Sequence, residues 1–414
     1  FLCLIFGTGR TQKIEAAVQN VPESLEEESR LDTVGTDQET ERAAVREKKG
    51  QQEKEAGDTE TDQAAAAQDE LLAELDFDAI QQEVDSLLSS QQFSFAGTVR
   101  SLLQDGDPFR TFRAGNAVLS CAKTAFLAQK GLMKELFLLV LAGAVLGSFS
   151  SLFEGKQVRD ASFYMVYLLA LALILKNFQS SGENLKAVIT SLVAFMRILT
   201  PSYYLAAAAA GGASSAVMFY QMLLLVILAV EKLLLALVLP MIHIYLLIAL
   251  VNDLSGEEIL SHMTELLETC VNGLLKSSLG VLVGMQMIRN LIAPALDSLR
   301  QMALWRTAGM IPGIGNAVNA VTELVAGSAV LIRNCFGVTA MLVLLVAGMV
   351  PAVQLLVSGL SFRLLAAAAQ PVSDKRIAGC LAAAGKGYAM LLRLLLTVEV
   401  LFLLTIAILA GTFS

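Results

Sequence analysis

Residues 333–359 read RNCFGVTAMLVLLVAGMVPAVQLLVSG. A single charge, Arg333, opens the run, and none follows within it. About 20 apolar residues suffice to carry a helix across the hydrocarbon core of a bilayer. This stretch is therefore long enough to span. Comparable runs recur from Leu136 to the C-terminus, at 135–153, 161–176, 187–210, 214–238, 240–252, 273–292, 309–330 and 388–411. The stretch 240–252 is short and opens at Pro240, so 233–252 reads as one kinked element with its predecessor. The expected fold is an all-α, polytopic helical membrane protein. It should have six to eight transmembrane helices and one or two broken or re-entrant segments.

Composition agrees. The 414 residues are 55% hydrophobic and 16% charged, with a mean hydropathy of +0.62. Soluble domains sit near 45–50% apolar and about 25% charged. An ordinary cytosolic enzyme is excluded on these grounds. Charge is also divided along the chain. Residues 11–90 hold 22 of the 38 Asp and Glu but 7 of the 30 Lys and Arg, a net of −15 against −8 for the whole. An acidic arm thus precedes a mildly basic body. Such an arm repels phosphate, so nucleic acid is not an expected partner. The lipid bilayer is.

Four regions follow. Residues 1–9 begin Phe-Leu-Cys-Leu-Ile-Phe and read as the remnant of a signal-peptide core, which puts the arm outside the cytoplasm. Residues 10–66 are an acidic arm too poor in apolar side chains to fold alone. Residues 67–130 are an extracytoplasmic helical segment. Leu72, Leu75, Ile80, Val84, Leu87 and Leu88 mark an amphipathic helix over 68–90 that must dock to be stable. Residues 131–414 are the polytopic transmembrane domain. Two stretches within it are not expected to span. One is the amphipathic 253–272. The other is 362–387, with Gln370-Pro371 and Lys375-Arg376. Lys156 and Arg159 follow the first span and favour the cytoplasmic side there.

The body contains an internal echo. Arg197, Pro201, the cluster Gly211-Gly212-Ala213-Ser214-Ser215, a long apolar run and Pro240 match Arg306, Pro312, Ala326-Gly327-Ser328, a second apolar run and Pro351. From Val217 to Pro240 is 23 positions and from Val330 to Pro351 is 21. Paired Gly/Pro-interrupted apolar segments point to an internal repeat with a central site. Small residues that merely let helices approach give the same pattern. The broken-helix candidates are Pro201, Gly211, Gly212, Pro312, Gly313, Gly315 and Gly327.

No catalytic motif is present: no GxSxG, no Walker loop, no HExxH. The chain is read as a non-enzyme without cofactor. Two histidines and five isolated cysteines make neither a metal site nor a disulfide framework. The informative residues are charges inside apolar runs, because such a charge is costly and faces a partner or a wet cavity. They are Arg197, Glu231, Lys232, Glu323, Arg333 and Glu399. Glu399 lies deepest, within Leu394–Leu409. It is read either as a helix-to-helix contact or as part of a proton or ion relay. Arg393 is read as a snorkelling side chain near a helix end.

These features, in their order, resemble the stage III sporulation protein AE family of endospore formers. The matching stretches are Leu75-Asp76-Phe77-Asp78 after the acidic arm, and Pro201 through Gly211-Gly212 to Ser215-Ala216. Ile311-Pro312-Gly313-Ile314-Gly315 with Val321-Thr322 and Ala329-Val330-Leu331 is a third. Gln370-Pro371 with Ile377 and Cys380-Leu381 is a fourth. The resemblance implies a multi-pass protein of the mother-cell membrane around the forespore. It implies membership of one operon's assembly, with a secretion-type ATPase and ring-forming proteins, meeting a forespore membrane partner. The implied role is a permease or export-like subunit of a channel that maintains the forespore and its late gene expression. An autonomous ion-coupled transporter and a non-conducting scaffold for the ring are the alternatives.

Overall fold

The computed structural model describes residues 76–88, 93–105, 114–150, 156–207, 225–255, 260–308, 315–371 and 373–411. All belong to one compact unit, Asp62–Ser414. The expected signal remnant and acidic arm lie outside the described residues, as do the Gly211-Gly212 cluster and Pro312-Gly313.

The described residues form helices and no strand. Two short ones, α1 (Phe77–Leu87) and α2 (Phe95–Asp105), precede six long ones. These are α3 (Ala114–Ser150), α4 (Lys156–Ala207), α5 (Leu225–Ser255), α6 (Ser261–Ala308), α7 (Gly315–Ala369) and α8 (Lys375–Gly411). Among the described residues, five helices are long and apolar enough to cross a membrane: Phe163–Tyr203, Leu225–Ser255, Ser261–Met285, Gly327–Ala369 and Lys375–Ala407.

Several expected elements merge. The stretches 161–176 and 187–210 belong to one continuous helix, α4, as far as Ala207. The polar residues between them, 177–186, look like a break in the sequence. They stay helical because Asn177 and Ser181 find partners across the bundle while Gln179, Glu183 and Lys186 are exposed. At 1.5 Å per residue the 41-residue span of α4 is roughly 60 Å long, about twice the hydrocarbon thickness. Its ends therefore reach beyond the apolar slab. Pro201, expected at a break, lies inside α4, and Pro351 lies inside α7. Pro240 is accommodated by a widened turn. Leu234–Val238 is π-helical immediately before it, which lets the ring pass without ending the helix. The interlude 253–272 divides between the end of α5 and the first turns of α6. Within 362–387, only the short turn between α7 and α8 interrupts the helices. Its backbone is closed by Ser373 N–H on Ala369 O at 2.8 Å, and Asp374 caps α8 by accepting from Arg376 N–H.

Side-chain contacts fix the helix directions. Gly359 meets Tyr388, Gly348 meets Glu399 and Gly337 meets Ile406, so α7 and α8 are antiparallel. Phe178 meets Gly387, and Tyr203 meets the same Gly337 that touches Ile406, so α4 runs parallel to α8. Tyr167 donates to Leu250 O at 2.6 Å while Arg197 meets Glu231, so α5 opposes α4. The N-terminal helices and the end of α8 share one end of the bundle. There Phe77, Phe95, Tyr203 and Phe336 form an aromatic cluster, with the Phe95 and Phe336 centroids 5.0 Å apart. The amphipathic helix docks as its pattern requires, with Ile80 and Val84 buried. Gln81 staples α1 to α2: its Nε2 donates to Phe93 O at 2.7 Å and its Oε1 accepts from Phe95 N–H at 2.8 Å.

Candidate functional site

The α7–α8 seam holds the most buried chemistry. On α7, Gly337, Gly348 and Gly359 recur at a constant interval of eleven positions. That interval makes about three whole turns, so the three glycines share one face. On α8, Tyr388 and Glu399 repeat the same interval. Each large residue enters a glycine notch: Tyr388 at Gly359, Glu399 at Gly348. A Cβ on Gly348 would overlap the Glu399 carboxylate.

The two knobs differ in how their polar atoms fare. The Tyr388 hydroxyl accepts from Asn177 Nδ2 at 2.6 Å and lies 3.2 Å from Ser181 Oγ. Phe362 stacks on its ring and Phe178 meets it edge-on. Beside this node, His243 packs over Gly182, its Nδ1 2.9 Å from Leu239 O. Glu399 is 8% exposed, and among the described residues Oε1 has no hydrogen-bond partner.

The other charges expected from sequence fall into separate places. Arg197 and Glu231 come together, Nη2 to Oε2 at 2.7 Å, joining α4 to α5. Glu231 also edges an apolar crevice of about 10 Å³ between Ile189, Val193, Val230, Leu282 and Phe402. Lys232, one residue on, is exposed. Arg333 is 1% exposed and lies beside Tyr203, near the aromatic cluster. Glu323 is on α7, but its side chain lies outside the described ones. Gly315 is the first residue of α7, and Gly327 is exposed with open space around it. Arg393 is not near a helix end. It sits mid-way along α8 and donates to Asn272 Oδ1 at 3.2 Å, while Lys386 pairs with Glu268 at 2.5 Å. Both links tie α8 to α6.

The glycine notches and the Asn177–Ser181–Tyr388 node are absent from the sequence reading. The regular spacing of the glycines is the available signal for the first. The second depends on which face of α4 turns inward. Among the described residues, no group of three or more His, Cys, Asp or Glu is placed to hold a metal ion. Cys335 and Cys380 are free and buried, and Cys270 is free and exposed.

Comparison with known proteins accounts for this bundle at the level of family. Stage III sporulation protein AE of Bacillus subtilis (strain 168) is 22% identical over 291 residues, covering 70% of this chain and 73% of that protein. No solved structure matches the chain. The family model described as stage III sporulation protein AE matches residues 93–412, from the start of α2 to the end of α8, and the chain belongs to that family.

Proposed function

We propose that this protein is the membrane-embedded, permease- or export-like subunit of the sporulation channel complex linking mother cell and forespore. It sits in the mother-cell membrane with its N-terminal arm outside the cytoplasm. It works with the ATPase and ring proteins of the stage III sporulation A assembly, which reaches a forespore membrane partner, and it supports forespore maintenance and late forespore gene expression. The observation that carries this reading is membership of the sporulation family over a bundle with five apolar helices of spanning length. Residues 1–9, 10–66 and 67–130 then serve as signal remnant, acidic arm and extracytoplasmic helical segment ahead of the transmembrane domain 131–414. The position of α1 and α2 at the end of the bundle shared with the end of α8 is compatible with that arrangement.

The test is deletion of the gene in a spore former, followed by complementation. Collapsed forespores and lost late forespore transcription, restored by the intact chain, are expected. Normal spores from the deletion strain would refute the reading. Solute movement by the purified chain in liposomes without partners would favour an autonomous transporter instead.

A further inference from the structure

Glu399 is the anomaly of the α7–α8 seam. Buried polar groups in proteins are almost always hydrogen-bonded, and an exception calls for a cause. The neighbouring hydroxyls obey the rule. Thr339 donates to Cys335 O and Thr405 to Leu401 O, each at 2.8 Å on its own helix. Tyr388, in the equivalent notch at Gly359, is satisfied from α4. Glu399 alone combines a glycine notch, burial and a carboxylate oxygen without a partner among the described residues.

Nearby cations do not relieve it. On α7 no Asp, Glu, Lys, Arg or His lies between Arg333 and Arg363. Arg333 itself is roughly four helical turns from Gly348, beside Tyr203. On α8 the nearest is Arg393, exposed and directed at Asn272. On α4, Arg197 is held by Glu231 of α5. On α3, Lys123, Lys130 and Lys134 are exposed, as is Lys232 on α5. On α6, Lys276 is exposed and Glu268 is taken up by Lys386. A hard metal cation needs several oxygen ligands converging on it, and the notch supplies one carboxyl. A proton needs only that carboxyl.

We propose that Glu399 is a reversible proton-binding site, closed by Gly348, whose occupancy is linked to the opening of the α7–α8 seam. With the seam closed, the carboxyl sits as the neutral acid on the bare Gly348 Cα. When the helices part, water reaches it, the O–H bond breaks, and the proton leaves on water with the electron pair left on the carboxylate. Reclosure requires the reverse step. No other reactant takes part. A membrane bundle so built couples helix separation to proton release and reclosure to proton uptake. This holds whatever the cargo and does not rest on the sporulation reading.

The experiment uses the full-length chain in liposomes treated with dicyclohexylcarbodiimide. This apolar reagent adds a protonated carboxyl across its N=C bond and rearranges to a stable N-acylurea, read by mass spectrometry of the tryptic peptide. The expected result is labelling at Glu399 ahead of the exposed Glu265, falling as pH is raised and lost in Glu399→Gln. Labelling of Glu399 no faster than Glu265, or indifferent to pH, would overturn the proposal. Glu399→Gln also serves as a folding control, since a neutral amide replaces a neutral acid of the same shape. It should melt with the parent protein in detergent. Marked destabilisation would mean that an ionised carboxylate is required, and would equally overturn it.

Discussion

Glu399 of α8 rests directly on Gly348 of α7, in space that any other residue at 348 would occupy. Gly348→Ala should therefore overpack the seam and cost about 1–3 kcal/mol. Residues in contact do not behave additively. In a Glu399→Ala background the same glycine substitution should cost measurably less, because the obstructing carboxyl is gone. Thermal unfolding of the four proteins in one detergent measures this. Equal costs in both backgrounds would show that the two residues do not meet.

Tyr388 presents the satisfied version of the same packing. Tyr388→Phe removes the acceptor of Asn177 Nδ2 and the neighbour of Ser181 Oγ while leaving the rings of Phe178 and Phe362 in contact. Interhelical hydrogen bonds in membranes contribute roughly 0.6–2 kcal/mol. The substitution should lose about that much. In a double-mutant cycle with Asn177→Ala the second change should add little, since one bond can be lost only once. A cycle that closes additively would dissociate α4 from α8 at this level.

How much of this is legible beforehand depends on the kind of signal. Long apolar runs identify their helices without tertiary information, and Ile80 and Val84 mark the docking face of α1 by spacing alone. Glu399 stands out because a carboxylate inside an apolar run has few places to go. The continuity of α4 is not legible. Asn177 to Lys186 is polar enough to read as a loop, and its helical state depends on Tyr388, distant in the chain, accepting from Asn177. Nor is the Arg197–Glu231 pairing, since the intervening 208–224 gives no measure of how the two helices return on one another. Pro240 is legible in part: 233–252 reads as one element with its predecessor, and it is one, whereas the wider turn at Leu234–Val238 that accommodates the ring leaves no mark in the sequence.

The Arg197–Glu231 pair should be weak despite its short distance. The arginine side chain is 49% exposed, and surface ion pairs contribute about 0–1 kcal/mol and are screened by salt. A cycle of Arg197→Gln and Glu231→Gln should give a coupling below about 1 kcal/mol that shrinks as ionic strength rises. A larger, salt-insensitive coupling would mean the pair is enclosed by something in the assembled membrane. That something is a neighbouring chain or lipid rather than solvent.

Gln81 holds α1 against α2 from both ends of its amide, donating to Phe93 O and accepting from Phe95 N–H. Helices as short as these two do not persist alone in water, so this staple and the Phe77–Phe95–Phe336 cluster must fix them together. Gln81→Leu keeps the volume and removes both bonds to α2, along with the donation from Nε2 to Asp85 Oδ1 within α1, each contributing about 0.5–1.5 kcal/mol. The loss should be local. Hydrogen exchange at the first amides of α2 should accelerate while the amides of α7 around Phe336 keep their protection, because α8 packs on the long helix there, Ile406 against Gly337. Uniform loss of protection across α2 and α7 would show instead that the two short helices are integral to the bundle and open only with it.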